Sequence, residues 1–364
     1  MEGMAQMKAF YHKKRVLVTG HTGFKGTWLC RWLLAMGAQV WGYALPPLEN
    51  SLFTLLSWEN DFFSQYGDIC EKSHLQETIQ TTQPEIVFHL AAQPLVAEGY
   101  ANPYQTYQTN LMGTVNVLDI LRSCPSVRSI VVVTTDKVYA SHTKPHQESD
   151  ILDGFDPYAN SKSCAELATA CFARCYFTKQ AAVSTVRAGN VIGGGDTAAH
   201  RLLPDCVRAA CRKIPVSLRA PYSIRPYQHV LEPLCAYLWT AWKQWETPQL
   251  AGCYNVAPKE AHFWSNQEIA EAFCHAWGEG MTWCVDTQAN FAPEQEILCL
   301  SGEKIKKVLG WSPQWDTQTA IQQTVAWEKV RRAQGDCMAE MLQQIQMYEK
   351  GEMECGKQTQ EQRF

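Results

Sequence analysis

The sequence predicts an α/β protein: a doubly wound parallel sheet with a smaller C-terminal α/β domain. Three observations carry this expectation. The apolar run Arg15-Val16-Leu17-Val18-Thr19 ends directly in a glycine-rich turn, where a helical pattern begins. Strand-like apolar runs and helical periodicity then alternate through the first half of the chain. At 364 residues, one large domain plus one smaller one is the natural division.

Each element follows from its local pattern. Gly23 to Met36 reads as a helix and Ala38 to Ala44 as the second strand. Strand, glycine turn, helix and strand make a βαβ unit, whose strands are parallel. A third strand is expected before Asp68, and Glu85 to Leu90, Ser129 to Thr134 and Ser184 to Arg187 are further buried-strand candidates. Tyr104 to Arg122 is predicted helical, with Leu111, Val115, Leu118 and Leu121 on one face. After Gly189 the character changes. Glycine, proline, arginine and aromatic residues crowd into Gly193-Gly194-Gly195-Asp196 and Arg225-Pro226-Tyr227-Gln228-His229. Such loops on a rigid scaffold are where ligand contacts sit. Asn255 to Trp327 mixes short helices and strands, as a small second domain would.

Composition excludes several classes. A net charge of −4 and a pI of about 6.2 leave no basic field for nucleic acid. The 15 cysteines are odd in number and lack Cys-x-x-Cys or other metal-ligand spacing, so no metal site is expected. They read as reduced thiols packed as small hydrophobes, including Cys171 and Cys175 at helical spacing in an apolar stretch. Met1 to Lys14 lacks the apolar core of an export signal, and no apolar run reaches membrane-spanning length. A cytoplasmic protein without a membrane partner is expected.

Gly20-His21-Thr22-Gly23-Phe24-Lys25-Gly26 sets three glycines at spacing three between strand and helix. The first permits a tight turn, the second lets backbone approach a pyrophosphate, and the third lets helix pack on strand. The helix N-terminus offers its free N–H groups to the phosphates. The acid that often holds the adenosine ribose is missing from Tyr43-Ala44-Leu45-Pro46-Pro47, and no arginine there receives a 2′-phosphate. These residues therefore specify a dinucleotide without choosing between NAD and NADP. Asp68-Ile69 suits either an adenine contact or a turn cap. The expected division is a dinucleotide-binding Rossmann domain over 1–190 plus about 228–256, a second domain over 191–227 and 257–350, and a frayed tail at 351–364.

Asp156-Pro157-Tyr158-Ala159-Asn160-Ser161-Lys162 carries the chemistry. Asp156 can cap a helix whose first turn accepts Pro157, which sets Tyr158 and Lys162 one turn apart on one face. An ammonium near a phenol favours phenolate, and such a tyrosine can act as general base toward a hydroxyl. An exposed helical Tyr/Lys pair is the plainer alternative. Thr134-Thr135-Asp136-Lys137-Val138-Tyr139 closes an apolar strand at its carboxyl end, where open parallel sheets bind ligands.

Gly20-x-x-Gly23-x-x-Gly26, Leu90-Ala91-Ala92-Gln93 and Tyr158-x-x-x-Lys162 resemble the extended short-chain dehydrogenase/reductase superfamily, in its NAD-dependent epimerase/dehydratase family. Gln93-Pro94-Leu95-Val96, Thr135-Asp136-Lys137, Gly189-Asn190-Val191-Ile192-Gly193-Gly194-Gly195-Asp196, Arg201-Leu202-Leu203-Pro204-Asp205 and Arg225 to Pro233 narrow the likeness to the CDP-glucose 4,6-dehydratases. Weaker similarity runs through Glu260-Ala261-His262 and Leu309 to Pro313, so the resemblance covers roughly residues 13 to 348.

The resemblance implies an NAD enzyme that converts CDP-glucose to CDP-4-keto-6-deoxyglucose and water, supplying polysaccharide deoxysugars. Tyr158 and Lys162 would act at the C4 hydroxyl, Thr135 would bond its oxygen, Lys137 would be base at C5 and Asp136 acid at C6. It places NAD against Gly20, Thr22, Gly23, Phe24, Lys25, Gly26, Asp68, Ile69, Leu90, Ala91, Ala92, Gln93, Thr109, Thr134, Tyr158 and Lys162. Asn190, Arg201, Leu202, Arg219, Arg225 and His229 would meet the nucleotide sugar, and guanidinium forks suit its phosphates. The helices near Tyr104 to Arg122 and Pro157 to Phe177 would pair two copies into a homodimer. Ala97, Thr197 and Leu300-Ser301 depart from the family pattern at loops bordering substrate. A nucleotide-sugar 4-epimerase and a non-catalytic dinucleotide sensor are the alternatives.

Overall fold

The computed structural model describes residues 2–58, 62–141, 144–259, 263–286 and 297–351. Its strands are β1 (Arg15–Thr19), β2 (Gln39–Ala44), β3 (Phe62–Tyr66), β4 (Ile86–His89), β5 (Ser129–Thr135), β6 (Ala182–Ala188), β7 (Asn190–Ile192), β8 (Val216–Leu218), β9 (Tyr227–His229), β10 (Cys253–Val256) and β11 (Trp283–Val285). Seven form one parallel sheet in the order β10-β6-β5-β4-β1-β2-β3. The winding reverses between β1 and β4, so the loops after these strands diverge and leave a crevice at their carboxyl ends.

Helices on both faces explain why β5 and β6 are buried at every position. One face carries the helices Glu2–Tyr11, Phe24–Ala35, Leu231–Glu246 and Cys337–Lys350, whose apolar side chains form one core with the sheet. The other carries Lys72–Thr82, Gly113–Leu121 and Pro157–Tyr176. The first core is closed by the two ends of the described chain. Tyr11 donates to the Leu238 carbonyl at 2.8 Å, Trp32 Nε1 to Glu349 at 2.8 Å, and Tyr348 to Glu232 at 2.7 Å.

After β6 the chain leaves the sheet. β7 pairs with β9 and β8 with β11, around a separate core that includes Leu203, Cys206, Phe273, Trp277 and Ile321. It then returns, and β10 adds to the sheet beside β6.

Two local expectations are corrected. The helix expected over Tyr104 to Arg122 forms from Pro103 to Leu121, with a π-turn at Gln108–Met112 that changes its buried face. The extra residue per turn rotates Leu111 and Val115 off the buried face, which Asn110, Thr114, Val117, Leu118 and Leu121 occupy instead. Cys171 and Cys175 are exposed, because the helix Pro157–Tyr176 turns its other face to the sheet. Glu260 to His262 and residues 352–364 lie outside the described residues. No helix among the described residues is long and apolar enough to cross a membrane.

Candidate active site

The glycine loop follows β1 at the point where the winding reverses. Gly20 has φ +77°, and a Cβ on it would stand 2.7 Å from the Ala91 nitrogen, so the turn can press against the loop after β4 only without a side chain. A Cβ on Gly26 would run into the Gly20 carbonyl, so the helix Phe24–Ala35 packs tightly on the turn. Thr22 donates to the Leu45 carbonyl at 3.0 Å, and Phe24 lies against Gly193 of the second lobe. Lys25 reaches a crowd of charges. Burial and then Arg201 pull its ammonium down to about 8, against the opposing pull of Asp136 and Asp196.

Leu90, Ala91, Ala92 and Gln93 line the other wall as half-buried backbone after β4. The π-turn fixes this wall: Asn110 accepts from Gln93 N at 2.8 Å and donates to the Gln93 carbonyl at 3.1 Å and to Ser161 at 2.9 Å. Thr109 sits in the same turn, half-buried. Asp68 accepts from Cys70 N at 2.9 Å, the turn-capping alternative, while Ile69 is buried against Gly113. Thr134 is buried with its hydroxyl committed to Glu166, which leaves only its backbone for a cofactor.

Asp156 caps the helix Pro157–Tyr176, accepting from Ala159 N at 2.9 Å, and this fixes the rotation of Tyr158 and Lys162 toward the sheet. Both are buried, at 9% and 6% exposure. Thr135, Asp136 and Lys137 face them from the end of β5. Thr135 donates to Asp136 at 2.9 Å and receives the Lys137 N–H at 3.4 Å, and its hydroxyl favours the anion of the neighbouring Tyr158 phenol. Tyr158 and Asp136 thus flank Thr135 in one cleft. Asp136 is 2% exposed, and its Oδ2 has no hydrogen-bond partner among the described residues. Burial raises its carboxyl above the usual range, against the pull of Lys137, Thr135 and Arg225.

The electrostatics of the pair differ from the expectation. Burial dominates and pushes the Tyr158 phenol up to about 12, with Thr135 and Arg201 favouring the anion. Lys162 donates to the Val133 carbonyl at 3.2 Å, and burial with Lys25 pulls its ammonium down to about 7 while Glu166 resists. Desolvation outweighs the simple attraction between ammonium and phenol.

The second lobe supplies the rim. Asn190 opens β7 and is half-buried, and Leu202 begins the helix Leu202–Arg212. Arg201 donates to Asp196 at 3.1 Å. Arg219 contacts His200 at 3.2 Å and Asp205 at 3.4 Å. Arg225 is buried at 6% exposure, and its charge acts on Asp136. His229 does not belong to this rim. It is fully buried, with its ring between Trp28 and Trp315, and burial holds its pKa down at about 3. This corrects its assignment as a substrate contact: it is a neutral core residue.

Residue reasoning passed over Glu166 and Arg187, which form a buried ion pair directly beneath the centre. A charge one turn beyond Lys162 and an arginine in an otherwise apolar strand were the available signals.

Comparison with known proteins agrees with this fold. The family model described as GDP-mannose 4,6 dehydratase matches residues 17–324. A CDP-glucose 4,6-dehydratase of Salmonella typhimurium is 40% identical over 332 residues, 88% of this chain and 92% of the relative. A UDP-glucose 4-epimerase of Thermus thermophilus, solved in complex with NAD, superposes with TM-score 0.74 at 25% identity, covering 86% of this chain and 99% of that one. A dTDP-glucose 4,6-dehydratase of Streptomyces venezuelae, solved with NAD bound, gives TM-score 0.77 at 22% identity over 89% and 99% of the two chains. The chain belongs to the GDP-mannose 4,6 dehydratase family.

Proposed function

We propose that this protein is an NAD-dependent hydro-lyase that converts CDP-glucose to CDP-4-keto-6-deoxyglucose and water. The observation that carries the reading is the buried Asp136 carboxyl, which has an unpartnered oxygen and accepts from Thr135 beside the Tyr158 phenol. A 4-epimerase needs no such acid. The 40% relative named for this reaction, aligned over 88% of the chain, supports the choice of nucleotide.

The residues at the crevice fit NAD. Gly20 and Gly26 let the turn close on the Ala91 backbone and on the helix, Gly23 leaves its side open except for the Gly20 carbonyl, and the N-terminus of the helix Phe24–Ala35 presents free N–H groups there. When bound, NAD supplies the hydride acceptor for C4, the hydride donor for C6 and a positive charge that favours anionic groups in the cleft. Tyr158 takes the proton from the C4 hydroxyl while Thr135 holds that oxygen. Lys162 balances the charge that develops on the phenol. The 4-ketone acidifies the C5 proton, and Lys137 removes it. Asp136, whose carboxyl burial keeps protonated more readily than usual, delivers its proton to the departing C6 oxygen. C5 then regains its proton from Lys137, matching the hydride returned to C6, and the proton taken up by Tyr158 restores Asp136. Arg201, Arg219 and Arg225 hold the diphosphate.

A homodimer belongs to the same reading. Tyr104 and Met112, at 79% and 49% exposure, and Leu167 and Tyr176, at 59% and 51%, lie on the two elements expected to pair. Light scattering after size exclusion tests it. Cytoplasmic residence follows from the nucleotide-sugar substrate.

The deciding experiment is mass spectrometry of the products from a panel of nucleotide-glucose substrates with NAD. A product lighter by one water from CDP-glucose is expected. Unchanged mass with inverted C4 would make the protein an epimerase.

A further inference from the structure

We infer that the buried Glu166–Arg187 ion pair is a clamp that sets the position of the acid–base segment Asp136-Lys137 relative to Tyr158. This rests on the functional reading above and assigns the pair as positioning residues.

The geometry is closed on all sides. Glu166 lies one turn beyond Lys162 on the helix that carries Tyr158. Its carboxylate accepts a bidentate fork from Arg187, Nε at 2.9 Å and Nη2 at 2.8 Å. It also accepts the hydroxyls of Thr134 and, at 2.6 Å, Thr185. Thr134 and Arg187 are register partners on β5 and β6, and Thr185 is two residues from Arg187, so all three side chains leave the same face of the sheet. The remaining nitrogen of Arg187, Nη1, donates to the Tyr139 hydroxyl at 2.7 Å, and that hydroxyl donates to Asn255 at 2.6 Å. Thr134 immediately precedes Thr135-Asp136-Lys137 and Tyr139 follows one residue after it. The pair therefore grips the reactive turn at both ends and binds it to the Tyr158 helix.

Stability alone does not account for such a pair, because a buried salt bridge often contributes no more than well-packed apolar residues of the same volume. What it supplies is a fixed distance. A misplacement of about 1 Å in a reacting group can cost ~10²-fold in rate.

Glu166→Gln keeps the shape but removes the charge and one acceptor, and Tyr139→Phe cuts only the far end of the clamp. With NAD and CDP-glucose, Glu166→Gln is expected to lower kcat ~10²-fold, the cost of a misplaced reacting group. KM and NAD affinity should stay near wild type. Its high-pH limb should move to lower pH, because Lys162 then faces Lys25 from the cofactor helix and His89 from β4 without the Glu166 carboxylate to support its charge. Tyr139→Phe should lower kcat several-fold with no shift of the limb, and Arg187→Lys should keep the limb of wild type while kcat stays low. A folded Glu166→Gln protein with wild-type kcat and limb overturns the clamp. If that variant does not fold, wild-type kcat in Tyr139→Phe overturns it instead. Wild-type protein assayed alongside separates the failures: absence of dehydration by wild type overturns the functional reading and the clamp together, and undiminished variants overturn the clamp alone.

Discussion

The proposed reacting centre and the two exposed arginines of the proposed nucleotide rim are built on opposite terms. At the centre, Thr135, Asp136, Tyr158 and Lys162 are all less than a tenth exposed, and their supports Thr134, Glu166 and Arg187 are as deeply buried. At the rim, Arg201 and Arg219 keep 37% and 29% of their side chains exposed and lean on Asp196 and Asp205. The supports Thr134, Glu166 and Arg187 are hydrogen-bonded to one another and hold one arrangement, while Asp136 keeps one oxygen unpartnered for proton transfer. The Arg219–Asp205 pair, 29% and 33% exposed, is of the kind that contributes about 0–1 kcal/mol, so a diphosphate can displace that carboxylate at small cost, whereas the carboxylate of Asp196, 7% exposed, is held more firmly against Arg201. Chemistry sits where partners are fixed, and recognition where they can be exchanged.

The contrast can be broken at its strongest point first. Tyr158→Phe should lower kcat by about 10⁴-fold, the upper range for a general acid–base group, with KM little changed. A variant keeping a tenth of the wild-type rate in a product assay would remove the phenol from the mechanism. Asp136→Asn should lower water loss by about 10²-fold, since carboxamide cannot deliver the C6 proton. Equal rates in both forms would make Asp136 a structural residue.

The pH dependence is next in size. Lys162 has its pKa lowered from 10.5 to about 7, so its charge is present below that pH and lost as pH rises through it. Turnover should decline through this range, and a pH–rate profile flat from 6 to 9 would contradict a role for that charge. At the rim, Arg201→Ala should raise KM roughly tenfold and leave kcat alone, as expected for losing a charged hydrogen bond of about 1.5 kcal/mol. A fall in kcat with unchanged KM would move Arg201 into the reacting centre. The smallest effect on catalysis belongs to His229→Phe, which should leave KM unchanged and cost about 1–3 kcal/mol of stability, read from denaturant midpoints. A raised KM there would return His229 to the substrate.

The strands and the Tyr158 helix were legible because their signals are local. β5 carries the apolar run Ile130 to Val133, and Asp156-Pro157 announces a helix start that the structure caps with Asp156. The glycine loop was legible from its spacing together with the strand before it and the helix after it. What escaped depends on contacts between distant segments. The π-turn at Gln108–Met112 leaves no mark in apolar periodicity, and Asn110 gains its function only through Gln93 and Ser161. His229 stood in a motif rich in binding residues, yet Trp28, two hundred residues earlier in the chain, seals it into the core. Lys162 shows the same limit for charge. Spacing places it near the phenol, but its burial, which spacing cannot report, decides its protonation.

The contact of the Cys337–Lys350 helix with Trp32 has a consequence during synthesis. Trp32 belongs to the second helix of the described residues, and its indole N–H donates to Glu349 at 2.8 Å. Until that turn leaves the ribosome, the nascent protein carries an uncovered aromatic seam on an otherwise assembled sheet, a surface for chaperones or for neighbouring chains. A message truncated a few dozen codons early would therefore yield a sticky product rather than a slightly shorter enzyme.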